Sequence, residues 1–146
     1  MTVDLVVRNG TIVDGSGGDP FAGDVAIEGG RVTAVGAVPA TEGPVVDASG
    51  LFVTPGFIDI HSHSDYTLLV DPRAMSAVYQ GVTLEVVGNC GFGCFPIRDA
   101  ELARKAIYGY SEEVPIEWSS AGGYFDRLQA AKPAVNVLRF AVVLVK

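Results

Sequence analysis

The sequence predicts an α/β protein, with a small β-module at its front and β-α-β units behind it. Three observations carry that expectation. Residues 3–53 break into short β-rich runs punctuated by Gly, Asp and Pro, the spacing of hairpins. After Pro55 the pattern changes to strand, helix, strand, which argues for parallel strands under a covering helix, the unit of open α/β sheets and of barrels. Apolar residues make up 49% of the 146, with a mean hydropathy of +0.34, so the chain can bury a sizeable core.

The front module is expected as strands at Leu5–Arg8, Thr11–Val13, Gly23–Glu28, Arg31–Val35, Val45–Asp47 and Leu51–Val53. Gly29-Gly30 reads as a hairpin turn, because glycine accepts the positive φ that two-residue turns require. The loop Asp14-Gly15-Ser16-Gly17-Gly18-Asp19-Pro20 is rich in glycine but has no Lys and no following helix, so it reads as a surface loop rather than a phosphate cradle. In the second part Phe57–Ile60 is the first strand. Asp71-Pro72 reads as a helix start continued by Arg73–Tyr79, since proline suits a first helical turn. Val82–Val87 is the second strand, Ala100–Tyr108 and Tyr124–Ala131 are helical, the latter preceded by Gly122-Gly123, and Ala134–Val145 is a third strand.

His61 and His63 close the apolar run that starts at Pro55-Gly56, and they are the two histidines of the chain. On a strand, residues i and i+2 point to one face, so both imidazoles can reach one metal ion. A metal held by few protein ligands keeps a position open for water, which it makes nucleophilic near neutral pH. The pattern points to hydrolysis. Cys90, in Gly88-Asn89-Cys90-Gly91, falls at the end of the second strand, on the edge that also carries the histidines. Its other reading is a small buried hydrophobe.

Composition excludes several classes. A net charge of −7 and a pI near 4.6, with no Lys/Arg cluster, argue against nucleic acid as a partner. The first residues lack a basic n-region and a long apolar segment, and Asn136 and Arg139 interrupt the apolar C-terminal run. A cytoplasmic protein without a membrane partner is expected. Cys90 and Cys94 read as free thiols or a ligand rather than a structural disulfide. Glu112, Glu113 and Glu117 read as a solvated acidic face, and Trp118 as a packing residue. Asp65 has two readings, a partner of the histidines or a solvated carboxylate.

With these residues in view, the chain resembles the amidohydrolase superfamily. The shared features are Leu5-Val6-Val7-Arg8-Asn9-Gly10-Thr11-Ile12-Val13-Asp14-Gly15, Asp47-Ala48-Ser49-Gly50 and the segment from Pro55 to His63. Gln80-Gly81-Val82-Thr83 followed by Gly88-Asn89-Cys90-Gly91 resembles the N-acyl-D-amino-acid deacylases (D-aminoacylases) within it. The resemblance implies a β-sandwich beside a metal-dependent (β/α)8 barrel, Zn2+ as cofactor, and hydrolysis of a small N-acyl-D-amino acid to a carboxylate and a D-amino acid. It maps His61, His63 and Cys90 onto metal ligands and gives Cys94 no ligand role. Residues 1–54 would then be the N-terminal strands of the sandwich and 55–146 the start of the barrel.

Such a barrel needs roughly 250 residues, whereas about 90 follow Pro55 here. The resemblance therefore implies a truncated or frameshifted copy, or the first segment of a longer protein, inactive alone and prone to self-association through an exposed sheet edge. Leu138–Lys146 departs from the family pattern. The alternatives are a cyclic-amide hydrolase of the hydantoinase or dihydroorotase kind and a non-catalytic remnant.

Overall fold

The computed structural model describes residues 3–139, and the chain divides into two units, Met1–Pro55 and Gly56–Lys146. In the first unit, β1 (Leu5–Ile12), β2 (Phe21–Glu28), β3 (Arg31–Gly36), β4 (Val45–Asp47) and β5 (Phe52–Val53) form one sheet of order β3-β2-β1-β4, with β5 also paired to β1. The β1–β2 and β2–β3 pairs are antiparallel, while β4 and β5 run parallel to β1. Gly29 and Gly30 both take positive φ, +60° and +70°, as the hairpin requires.

The two strands expected at Leu5–Arg8 and Thr11–Val13 are one strand with an irregularity between Val7 and Gly10. Asn9 causes it. Its φ is +62°, and the conformation is held by a bond from its backbone N–H to Asp24 Oδ1 (2.9 Å) and one from its side-chain amide to Asp47 Oδ1 (3.0 Å). Arg8, beside it, pairs with Asp24 at 2.6 Å and donates to the carbonyl oxygens of Val38 and Pro39. The apolar side chains of Val6, Ala26 and Val38 are buried together under Val3 and Ala34.

The second unit is built on a parallel sheet of order β6-β7-β8, with β6 at Phe57–Asp59, β7 at Val82–Val87 and β8 at Asn136–Arg139. All three strands therefore end on one edge. Helical segments α1 (Thr67–Val70), α2 (Met75–Val78), α3 (Ala100–Ala106) and α4 (Ala121–Ala131) complete it. The expected helix start at Asp71-Pro72 is corrected. The Asp71 carboxylate instead accepts from the Arg73 backbone N–H and guanidinium, closing a turn, and α2 begins only after left-handed Ala74. A helical turn at α1 went unexpected because four residues are too few for a readable period.

Helix α3 matches its expected start, with Asp99 Oδ1 accepting from the N–H groups of Glu101 and Leu102. Helix α4 begins three residues before the expected Tyr124. Ser120 caps it through Gly123 N–H, so Gly122 and Gly123 lie inside the helix, and Lys132-Pro133 ends it. The expected strand Ala134–Val145 is seen at Asn136–Arg139, and residues 140–145 lie outside the described residues.

Tyr66, Leu68, Leu69, Cys94, Trp118, Tyr124 and Leu128 are central to the core of this unit. Trp118 is a packing residue whose indole N–H donates to Cys94 O at 2.7 Å. Both cysteines are free. Glu112, Glu113 and Glu117 are exposed, alternating with buried Val114, Ile116 and Trp118. No helix among the described residues is long and apolar enough to cross a membrane.

Candidate metal centre

His61 and His63 follow the end of β6 rather than lying within it. Asp59 Oδ1 accepts the His61 backbone N–H at 3.0 Å, and the Ser62 N–H reaches across to Val86 O on β7 at 3.0 Å. The sheet pairing thus carries on past β6 far enough to fix the segment between the two imidazoles. Their ring centroids are 5.5 Å apart.

Cys90 arrives from the neighbouring strand on a short 3-10 turn, Asn89–Gly91. Gly88, Cys90 and Gly91 have φ of +81°, +56° and +77°. Glycine takes this conformation freely, whereas a cysteine there costs of order 1–3 kcal/mol and needs outside support. The result is convergence. Cys90 Sγ stands 3.3 Å from His61 Nε2, and one donor atom from each of His61, His63 and Cys90 lies within 4.8 Å of the others.

These donors suit zinc chemically. With bonds of about 2.3 Å to sulfur and 2.0–2.1 Å to nitrogen, neighbouring S and N donors of a tetrahedral site stand roughly 3.6 Å apart. The His61–Cys90 separation is close to that value, and the His63 donor lies within 4.8 Å of both. His61 and Cys90 are exposed and His63 half-buried, which leaves the site accessible.

The surroundings differ on the two sides of His63. One side is a cavity of about 460 Å³ whose walls include Phe92, Phe95, Ile97, Leu102 and Tyr108. The other, of about 320 Å³, is more polar and includes Asp59, Ser62, Ser64, Gln80 and Glu85. Glu85 is buried and accepts from the Ser64 hydroxyl, which also bonds with Ser62 Oγ. Asp65 is buried too, which removes its solvated reading. It pairs with Arg139 at 3.2 Å.

Cys94, four residues from Cys90, is not among the clustered donors but lies buried at the wall of the larger cavity. Burial pushes its thiol up to about 12, with the nearby Asp65 charge acting in the same direction and Arg139 against it. The sequence reading named His61, His63 and Cys90, and the structure brings all three together. It passed over Glu85, Asn89 and Arg139. A charged residue inside the apolar run Val82–Val87 was the signal available for Glu85; Asn89 and Arg139 offered none without the turn and the strand register in hand.

The amidohydrolase family model matches residues 44–144. An N-acyl-D-aspartate deacylase of Alcaligenes xylosoxydans xylosoxydans is 44% identical over 95 residues, covering 64% of this chain and 19% of that protein. An N-acyl-D-glutamate deacylase of the same organism is 38% identical over 140 residues, covering 92% of this chain and 28% of the relative. The crystal structure of the N-acyl-D-glutamate deacylase from Bordetella bronchiseptica, complexed with zinc and a phosphonate inhibitor, superposes with a TM-score of 0.81 at 32% identity, over 97% of this chain and 30% of that one. The chain thus spans between 19% and 28% of the length of these curated relatives. With most of its residues inside the matched segment, the chain belongs to the amidohydrolase family and is similar there to N-acyl-D-amino-acid deacylases.

Proposed function

We propose that this chain supplies the first metal ligands of a zinc-dependent deacylase that hydrolyses the amide bond of N-acyl-D-amino acids to a carboxylate and a D-amino acid. The convergence of His61, His63 and Cys90 carries the reading. Zinc, when bound, activates water as a nucleophile and polarises the carbonyl oxygen of the amide. The chain's own part is to hold that ion with one thiolate and two imidazoles and to leave its outer side open. The larger cavity beside His63, with its aromatic and aliphatic walls, supports binding of the apolar portion of a small acyl amino acid.

The same reading assigns residues 1–54 to the β-sandwich module of such enzymes and 55–146 to the start of their (β/α)8 barrel. The curated relatives are several times longer than this chain, and with the first ligands only, this chain alone is expected to be inactive. The net charge of −7 supports a small-molecule substrate over nucleic acid, and we place the protein in the cytoplasm. Strands β6 and β8, at the two sides of the second sheet, are where self-association would occur.

A cyclic-amide hydrolase is the second reading. The cysteine beside the histidine pair favours the deacylase, because the resemblance to the deacylases rests on a cysteine ligand at this position. Zinc content of the purified chain, and amine release from N-acetyl-D-amino acids by a full-length relative, test the proposal. Cys90→Ser is expected to weaken zinc binding by more than the roughly 10–100-fold that outer partners contribute. Unchanged zinc content in that variant refutes the ligand assignment. Release of ring-opened product from hydantoins, without amine release, transfers the assignment to the second reading.

A further inference from the structure

We infer that Asn89 and Asp65 are positioning residues that set Cys90 against His61 and His63, with Arg139 holding Asp65 in place. The inference rests on the metal reading above and extends it to residues that touch no donor atom.

The turn bearing Cys90 does not specify its own shape. Three of the four residues from Gly88 to Gly91 have positive φ, one of them the cysteine itself. Bonds from outside must therefore select that conformation. Two come from the histidine segment. The Asn89 side-chain amide donates to Ser62 O at 3.1 Å, the carbonyl between His61 and His63, and to Val86 O at 2.8 Å. The Gly88 N–H donates to Asp65 Oδ2 at 3.3 Å, two residues beyond His63. Each tie joins a neighbour of Cys90 to a neighbour of a histidine.

The charge of Asp65 is fixed from the third strand. Arg139 Nε donates to Asp65 Oδ1 at 3.2 Å, and both side chains are almost fully buried, 3% and 6% exposed. The guanidinium lies 3.7 Å over the Phe95 ring and donates to Phe95 O at 3.2 Å. A buried carboxylate in two such bonds has one low-energy position, and it carries the Gly88 amide with it. Gly93 makes room for the arrangement, since a Cβ there would stand 1.6 Å from Arg139 Nη2.

The test is titration of the full 146-residue chain with cobalt(II), which reports thiolate ligation as a sulfur-to-metal charge-transfer band and total binding as d–d bands. Far-UV circular dichroism serves as the folding control. Asn89→Ala is expected to lower affinity about 10–100-fold and to reduce the charge-transfer band toward that of Cys90→Ser, while the d–d bands persist. Asp65→Asn keeps the shape and an oxygen for Gly88 N–H but loses the Arg139 charge pair; it should fall between wild type and Asn89→Ala. If Asn89→Ala does not fold, Asp65→Asn decides. Folded variants with wild-type affinity and a full charge-transfer band overturn the inference and leave the metal reading intact. A wild-type chain that binds no cobalt overturns both.

Discussion

The Tyr124 hydroxyl, on helix α4, donates to the backbone carbonyl oxygen of Asp65 at 2.7 Å, so the helix is bonded directly to the segment that follows the two histidines. Both groups are buried, and burial pushes the phenol well above its usual range. Tyr124→Phe removes the donor and leaves a buried carbonyl without that partner. We expect a loss of about 1–2 kcal/mol, read as a lower urea midpoint at unchanged m-value. An unshifted midpoint would show that the carbonyl finds another donor.

The two cysteines should differ sharply in reactivity. Cys94 is 1% exposed and its thiol is pushed up to about 12, so at pH 8 only roughly one molecule in ten thousand carries the thiolate. Cys90 is exposed. Iodoacetamide on the native chain should therefore label one site, mapped by mass spectrometry to Cys90, and zinc should slow the labelling. Native labelling at Cys94 would contradict its placement.

The same burial sets a pH dependence of stability. The unfolded Cys94 thiol ionises near its ordinary value of 9.0, the folded one near 12. Between those values the unfolded state releases a proton that the folded state keeps, so stability is fully present below pH 9 and declines as pH rises toward 12. Cys94→Ala should flatten this alkaline slope while lowering overall stability through the space it leaves. A slope equal to wild type would assign the decline to Tyr124 and Tyr66, whose phenols are also raised by burial.

Gly56 offers a steric test. A Cβ at that position would meet the Thr83 side chain at 2.2–2.7 Å, and a β-branched neighbour has little freedom to move aside. Gly56→Ala is expected to cost about 1–3 kcal/mol, measured by denaturant unfolding. The double variant with Thr83→Ala should recover part of it. Additive losses would show that the two positions do not meet.

How far the sequence was readable depends on the range of the interaction. Val82–Val87 was legible to the residue because its apolar run is bounded by glycine on both sides. The convergence of His61, His63 and Cys90 was legible because their residue types are chemically distinctive and fall at the ends of two apolar runs. Pro55-Gly56 marks the start of the apolar run in the sequence, and the structure gives Gly56 a further reason, the close approach of Thr83 from the next strand. The helix expected at Asp71-Pro72 failed because the Asp71 side chain competes for the backbone N–H of Arg73. The bonds that tie Gly88 to Asp65, Asn89 to Ser62 and Arg139 to Asp65 span 23 to 74 positions, and local pattern carries no trace of such pairing.

The parallel register of β6 and β7 has a consequence for assembly. His61 and Cys90 are 29 positions apart, and closing a loop of that length costs about 3 kcal/mol in chain entropy. Pairing of the two strands already closes it. A metal captured by these donors would meet that entropic demand in advance, and its binding energy would pass back into the strand pair. Loading of the ion and docking of β6 on β7 are thus two faces of one equilibrium.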